Sequence, residues 1–139
     1  MTKTQHYQLN QWDAGDRVLR EDFNEDNRQL EKALSACGNC RMEHKTYVGT
    51  GISGPYGDKA NSLTFQQRPL LVIILGKYSM YIPGTVDRGD TNPLASGGNA
   101  HNSFYWRGNK LTWNNYDSAA YQLNEKGITY HYLAFYLTT

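Results

Sequence analysis

The chain of 139 residues carries a net charge of +1, and its aromatic content rests on 11 Tyr and 3 Trp rather than on its 4 Phe. The length suits one domain with a core of its own. The balanced charge argues against a nucleic-acid partner, no acidic cluster argues for calcium, and no apolar run approaches the roughly 18 residues of a membrane span. Tyr is rigid and amphipathic, which suits half-buried strands, interfaces and sugar-contacting surfaces alike.

The opening MTKTQHYQLNQW has no apolar core, so no secretory signal is expected, and export is expected by cell lysis or another route. Charge divides the chain near residue 45. Before it lie 8 of the 13 acidic groups and half of the 14 basic ones; after it the sequence turns to Gly, Asn, Thr, Ser and Tyr. The expected organisation is an extended docking arm over 1–21, an oligomerisation helix and linker over 22–44, and a β-sandwich domain over 45–139. In the arm, Tyr7, Leu9 and Trp12, with Val18 and Leu19 further on, are apolar anchors, and the DAGD run at 13–16 reads as a turn. Such an arm either docks on something larger or tucks back on its own domain.

Asp22 is the expected N-cap, with Glu25 three residues on completing a capping box. Behind it Phe23, Asn27, Leu30 and Leu34 recur at spacings of 4, 3 and 4, the pattern of a helix seam. QLEKAL is built of good helix formers and Gly38 is a stop, which predicts a helix over 22–37. A helix of about four turns is marginal alone in water. Its stripe must meet either the chain's own β body or copies of itself. Asn27 favours copies, because a polar seam residue sets register and copy number.

Strands are predicted over 45–49, 62–66, 70–75, 79–82, 103–107, 110–114, 120–123 and 129–137. The apolar run LLVIIL is expected centrally, covered on both faces. Gly108-Asn109 divides SFYWR from KLTW as a tight hairpin, and Gly127 suits the positive φ of a bulged one. The last strand alternates Tyr130, Tyr132, Ala134 and Tyr136 with His131, Leu133, Phe135 and Leu137. With both faces so apolar, it is central in a sandwich or edges an oligomer contact. Short strands divided by turns define the fold class as mainly β: an antiparallel β-sandwich preceded by an arm and one short α-helix. The stretch 83–102 is expected as a long loop and the candidate variable recognition surface.

Chemistry is sparse. Cys37-Gly38-Asn39-Cys40 closes a helix, where the dipole disfavours a redox thiolate. Cys37, Cys40 and His44 have ligand-like spacing for zinc, and the fourth ligand would have to be His6, His101, His131 or a residue of another subunit. A local disulfide and free thiols stand as the alternatives, and no cofactor is expected. Gly57-Asp58-Lys59-Ala60 departs from a phosphate loop, and Arg88-Gly89-Asp90 is a tripeptide that recurs by chance. His101 and His131 have no nucleophile turn beside them. Asp87, Asp90, Asp117 and Glu125 are surface acids whose pairing for glycoside hydrolysis sequence does not place, so an enzyme is not expected. Tyr105, Trp106, Trp113 and Tyr116, near Asn109, Asn114 and Asn115, are candidate glycan contacts, since aromatic faces and short amides recognise sugars. The alternative for the two Trp is core burial across the hairpin.

The phrase Tyr7-x-Leu9-x-x-Trp12-x-x-x-Asp16-x-Val18-x-Arg20-x-Asp22-Phe23-Asn24-x-Asp26-Asn27 resembles the start of small tail-associated proteins of phages and prophages of Gram-positive bacteria. The phrase Gln122-Leu123-Asn124-x-x-Gly127-x-Thr129-Tyr130-x-Tyr132-x-Ala134-Phe135 resembles the closing hairpin of β domains in phage tail-fibre and receptor-binding proteins. The resemblance implies a virion tail protein, assembled in the bacterial cytoplasm and released by lysis. It implies homo-oligomers, with a trimer favoured, and other tail or baseplate proteins as partners; it implies no particular ligand, tail-tip proteins meeting cell-wall polysaccharide, teichoic acid or surface protein, with host cell-surface polysaccharide a candidate target. The alternatives are a baseplate adaptor without host ligand and a carbohydrate-binding module unrelated to phage.

Overall fold

The computed structural model describes residues 1–38, 40–55, 57–91 and 101–137. The chain divides into two compact units, Met1–Asn39 and Cys40–Thr139.

In the first unit, β1 (Thr2–Lys3) pairs antiparallel with β2 (Asn10–Gln11), and α1 spans Arg20–Ala36. Residues 1–21 are therefore not the extended arm expected. Polar groups tie this segment to the helix: Asn10 N donates to Asp26 Oδ1 at 2.9 Å and Asn10 Nδ2 to Asp22 O at 3.1 Å, while the rings of Trp12 and Phe23 lie 6.0 Å apart. The helix also begins two residues before the expected N-cap. Leu19 is the N-cap, and Asp22 Oδ2 accepts from Leu19 N at 3.1 Å. Asp22 thus supplies the box carboxylate, while Glu25, expected in that role, binds Arg28 and Gln29 instead. No residue of α1 is buried.

The second unit is a β-sandwich that begins at Cys40, five residues earlier than expected. One sheet orders β3 (Cys40–Val48), β10 (Thr129–Leu137), β5 (Leu71–Leu75) and β6 (Ser79–Pro83). The other orders β4 (Asn61–Thr64), β9 (Lys110–Asn114), β8 (Asn102–Arg107) and β7 (Arg88–Thr91). All pairings are antiparallel. Period-two alternation sends Val72, Ile74, Met80, Ile82 and Ala134 from the first sheet against Phe104, Trp106, Leu111 and Trp113 from the second. Each such burial stabilises by about 1.5–3 kcal/mol. The tyrosines of β10 complete this core, and the hydroxyls of Tyr130 and Tyr136 have partners. Tyr136 donates to Glu43 Oε2 at 3.0 Å, and Tyr130 accepts from Glu125 N at 3.1 Å.

Several expectations change here. The segment 120–123 is a turn, not a strand: Gln122 N donates to Ser118 O at 3.0 Å and Asn124 N to Ala119 O at 2.8 Å, and Leu123 takes φ 57°. Gln122, Leu123 and Asn124 are all buried in this turn. Gly127 does adopt φ 78°, but in the turn leading into β10. LLVIIL is central in its sheet yet covered on one face only: Val72 and Ile74 are buried, whereas Leu71 and Ile73 are half-buried and Leu75 is exposed. Residues 88–91, expected inside the long loop, form β7 against β8. There Gly89 faces inward, where an added Cβ would lie 3.0 Å from the Phe104 ring, and Arg88 and Asp90 face out. The 92–100 part of the expected recognition loop lies outside the described residues.

Candidate functional site

The outward residues of β7, β8 and β9 build a groove. The hairpin turn at Gly108-Asn109 pairs Arg107 with Lys110, so Ser103, Tyr105 and Arg107 share the outer face with Thr112 and Asn114. Pairing with β7 sets Arg88 opposite Tyr105 and Asp90 opposite Ser103. With Tyr116 beyond the end of β9, Arg88, Asp90, Ser103, Tyr105, Arg107 and Asn114 line an open groove of about 810 Å³.

Its chemistry is polar and aromatic. Tyr105 and Tyr116 are 39% and 57% exposed. Arg107 lies over the Tyr105 ring, 5.5 Å from its centroid, which holds that ring while the guanidinium stays solvated. Ser103 Oγ donates to Asp90 Oδ1 at 2.7 Å. Asp87, also in the lining, pairs with Arg68 at 2.8 Å. Asn114 is only 6% exposed, and its buried Nδ2 has no hydrogen-bond partner. A buried amide N–H without an acceptor costs about 1–3 kcal/mol. The lining carries Asp87 and Asp90 against Arg88 and Arg107, so it has no net charge to select an ion.

The expected contacts separate. Tyr105 and Tyr116 enter the groove. Trp106 and Trp113 belong to the core, 5% and 0% exposed, with Trp106 Nε1 donating to Pro83 O at 3.0 Å and Trp113 Nε1 to Gln122 O at 2.8 Å. They fall there because the strand period sends them to the opposite face from Tyr105. Asn109 is spent in the hairpin, its amide donating to Phe65 O and its carbonyl accepting from Phe65 N. Sequence reasoning passed over Ser103 and Arg107, and weighed Asp90 only as a surface acid. Counting alternate residues outward from Gly108-Asn109 finds Ser103 and Arg107; Asp90 needs the β7 pairing, which no local signal announces.

Of the four surface acids, Asp87 and Asp90 line the groove, while Asp117 and Glu125 are absent from its lining. The zinc candidates do not converge. Cys37 and Cys40 are free and exposed, and His44 Nε2 instead meets His131 Nδ1 at 2.9 Å with the rings stacked. Among the described residues no cluster of three or more His, Cys, Asp or Glu side chains is placed to hold a metal. On α1, Phe23, Leu30 and Leu34 are 56%, 41% and 67% exposed, and Asn27 is exposed beside them. In the arm, Tyr7 is exposed, whereas Leu9 and Trp12 are half-buried.

Asn115 and Asn102, unlike Asn114, are tied inside the fold. Asn115 Nδ2 donates to Asn102 Oδ1 at 3.0 Å, and Asn102 Nδ2 donates to Tyr121 O at 2.7 Å. Gln122 and Asn124 continue this buried amide network toward the 50–54 loop. The amide-rich stretch 114–124 is thus mostly structural, with Asn114 the member left facing the groove.

Comparison with family models, with curated proteins and with solved structures finds no match to this chain.

Proposed function

We propose that the chain is a structural protein of a phage or prophage tail, a homo-oligomeric fibre-tip or receptor-binding component that displays β-sandwiches to the host surface. The two sequence phrases at its ends support the tail setting. The observation that carries the binding role is the groove, where the exposed rings of Tyr105 and Tyr116 stand beside the Ser103–Asp90 pair. A neutral polyhydroxylated ligand suits it. Sugar C–H faces stack on tyrosine rings, Arg107 donates to a hydroxyl or acetamido oxygen, and Asp90 accepts a hydroxyl proton. The role is binding, without cleavage or cofactor.

In this reading the exposed stripe of Phe23, Leu30 and Leu34 gathers copies, with Asn27 setting their number and a trimer favoured. Tyr7, Leu9 and Trp12 face other tail or baseplate proteins. Several copies of a weak groove then hold one repetitive polysaccharide by avidity. The protein works on the virion tail, after assembly in the bacterial cytoplasm and release by lysis.

The test is adsorption of the purified protein to isolated Gram-positive cell-wall polysaccharide. Tyr105→Ala and Asp90→Ala are expected to reduce retention at least about tenfold, as follows from losing about 1.4 kcal/mol per contact. Retention unchanged in both variants refutes the groove. Absence of any retention, together with labelling inside the baseplate by electron microscopy, replaces the reading with an adaptor.

A further inference from the structure

The two outer faces of the sandwich have opposite chemistry. The β7–β8–β9 face is polar and carries the groove. The outer face of β3–β10–β5–β6 is apolar. The register sets Met42, Phe135 and Leu71 in one row across it, and Leu133, Ile73 and Tyr81 in the next. Met42 and Tyr81 are 58% and 42% exposed. An antiparallel sheet that faces water normally shows polar residues there. The outward positions of these four strands, read from the register, include no Asp, Glu, Lys or Arg. His44 stands beside Leu133 at the β3 end of the second row, and Thr46, His131, Leu75 and Ser79 form the third row, where His131 is bonded to His44.

We infer that this face is where β units of separate copies of the chain meet. Strands of nine and five residues, at about 3.4 Å per residue and 4.8 Å between strands, make it roughly 450 Å² in projection. Apolar patches of about this size mark interaction surfaces. It is also within a factor of two of the about 800 Å² that each partner contributes to a stable interface. The charge pattern selects the occupant. A face without ionised groups meets its own copy without like-charge repulsion, and two such faces stack about 10 Å apart as sheets do in a sandwich. A charged partner would bury its ions here against nothing that pairs them. The inference rests on the homo-oligomer part of the proposed function and adds the surface through which the β units meet; it does not involve the groove.

The experiment is the solution mass of the full-length chain, by light scattering after size exclusion over a wide concentration range. It compares the wild type, Leu30→Lys, and Leu30→Lys combined with either Leu133→Lys or Tyr81→Lys. The Leu30→Lys background removes the helix stripe as a second means of association. Leu30→Lys is expected to remain a multiple of 15.9 kDa, and each added face substitution to lower it to 15.9 kDa. Tyr81 lies exposed on the edge strand β6, so its replacement leaves the fold intact and decides the matter if Leu133→Lys unfolds. An oligomeric wild type with a monomeric Leu30→Lys overturns the face and leaves the helix seam standing. An unchanged mass in Leu30→Lys/Tyr81→Lys also overturns it. A monomeric wild type overturns face and seam together and assigns the face to a different partner.

Discussion

Gln122→Leu tests whether the buried amide network holds the sandwich together. Gln122 is fully buried. Its Oε1 accepts from Asn115 N at 2.8 Å, and its Nε2 donates to Lys59 O at 2.7 Å and Asn61 Oδ1 at 3.2 Å. Two longer contacts run to Gly54 N at 3.4 Å and Ile52 O at 3.3 Å. Leu has nearly the same volume, so the cavity contribution is small and the lost hydrogen bonds dominate. Each buried group left without a partner costs about 1–3 kcal/mol. Asn115 N–H bears the full cost because Asn115 is itself buried, whereas Lys59 O and Asn61 Oδ1 sit nearer solvent. The expected loss is about 3–5 kcal/mol, a large share of the about 5–15 kcal/mol that holds a domain. Urea unfolding followed by Trp fluorescence reads it, since Trp113 Nε1 donates to Gln122 O. The melting temperature should fall by more than about 10 °C. A loss below about 1 kcal/mol would refute the reasoning and make the network incidental to stability.

Burial raises the phenol pKa values of Tyr47, Tyr130, Tyr132 and Tyr136, and the last, with Glu43 also against its hydroxyl, is pushed up to about 12. A folded pKa above the unfolded value means stability fully present below about pH 10 and lost as pH rises through the folded pKa. Absorbance titration should therefore show these phenolates appearing late and together with unfolding; all tyrosines ionising near pH 10 in a folded protein would contradict it. Asp22→Ala removes the acceptor for Leu19 N and should cost the N-terminal unit about 1 kcal/mol, visible as lost helical circular dichroism on heating. Gly89→Val drives a side chain against the Phe104 ring and should destabilise the sandwich by about 1–3 kcal/mol in denaturant; an unchanged midpoint would contradict the inward placement of Gly89.

Local rules carried much of the fold. The strands Lys110–Asn114 and Thr129–Leu137 match their expected bounds, because alternation and flanking turns both mark them. The hairpin at Gly108-Asn109 was legible for the same reason. The helix was legible from its 4-3-4 stripe, but its start was not. A capping box reads alike whether Asp22 opens it or closes it, and the backbone decided in favour of Leu19 as N-cap. Segment 120–123 misled because AYQL has the alternation of a strand, while Leu123 at positive φ belongs to a turn.

The groove was half legible. Tyr105 and Tyr116 were visible as aromatics near a hairpin, yet composition could not tell them from Trp106 and Trp113, which the strand period buries. Asp90 reaches the groove only because Arg88–Thr91 pairs with β8, a contact between segments that carry no mutual signal. By itself the sequence determined the elements and their two-faced alternation, since these depend on neighbours within a few residues. Tertiary structure alone decided which apolar face went inside. The strands β5 and β10 are apolar on both sides, so only the packing of β8 and β9 against Val72, Ile74 and Ala134 chose the core face and left Leu133 and Ile73 on the outside.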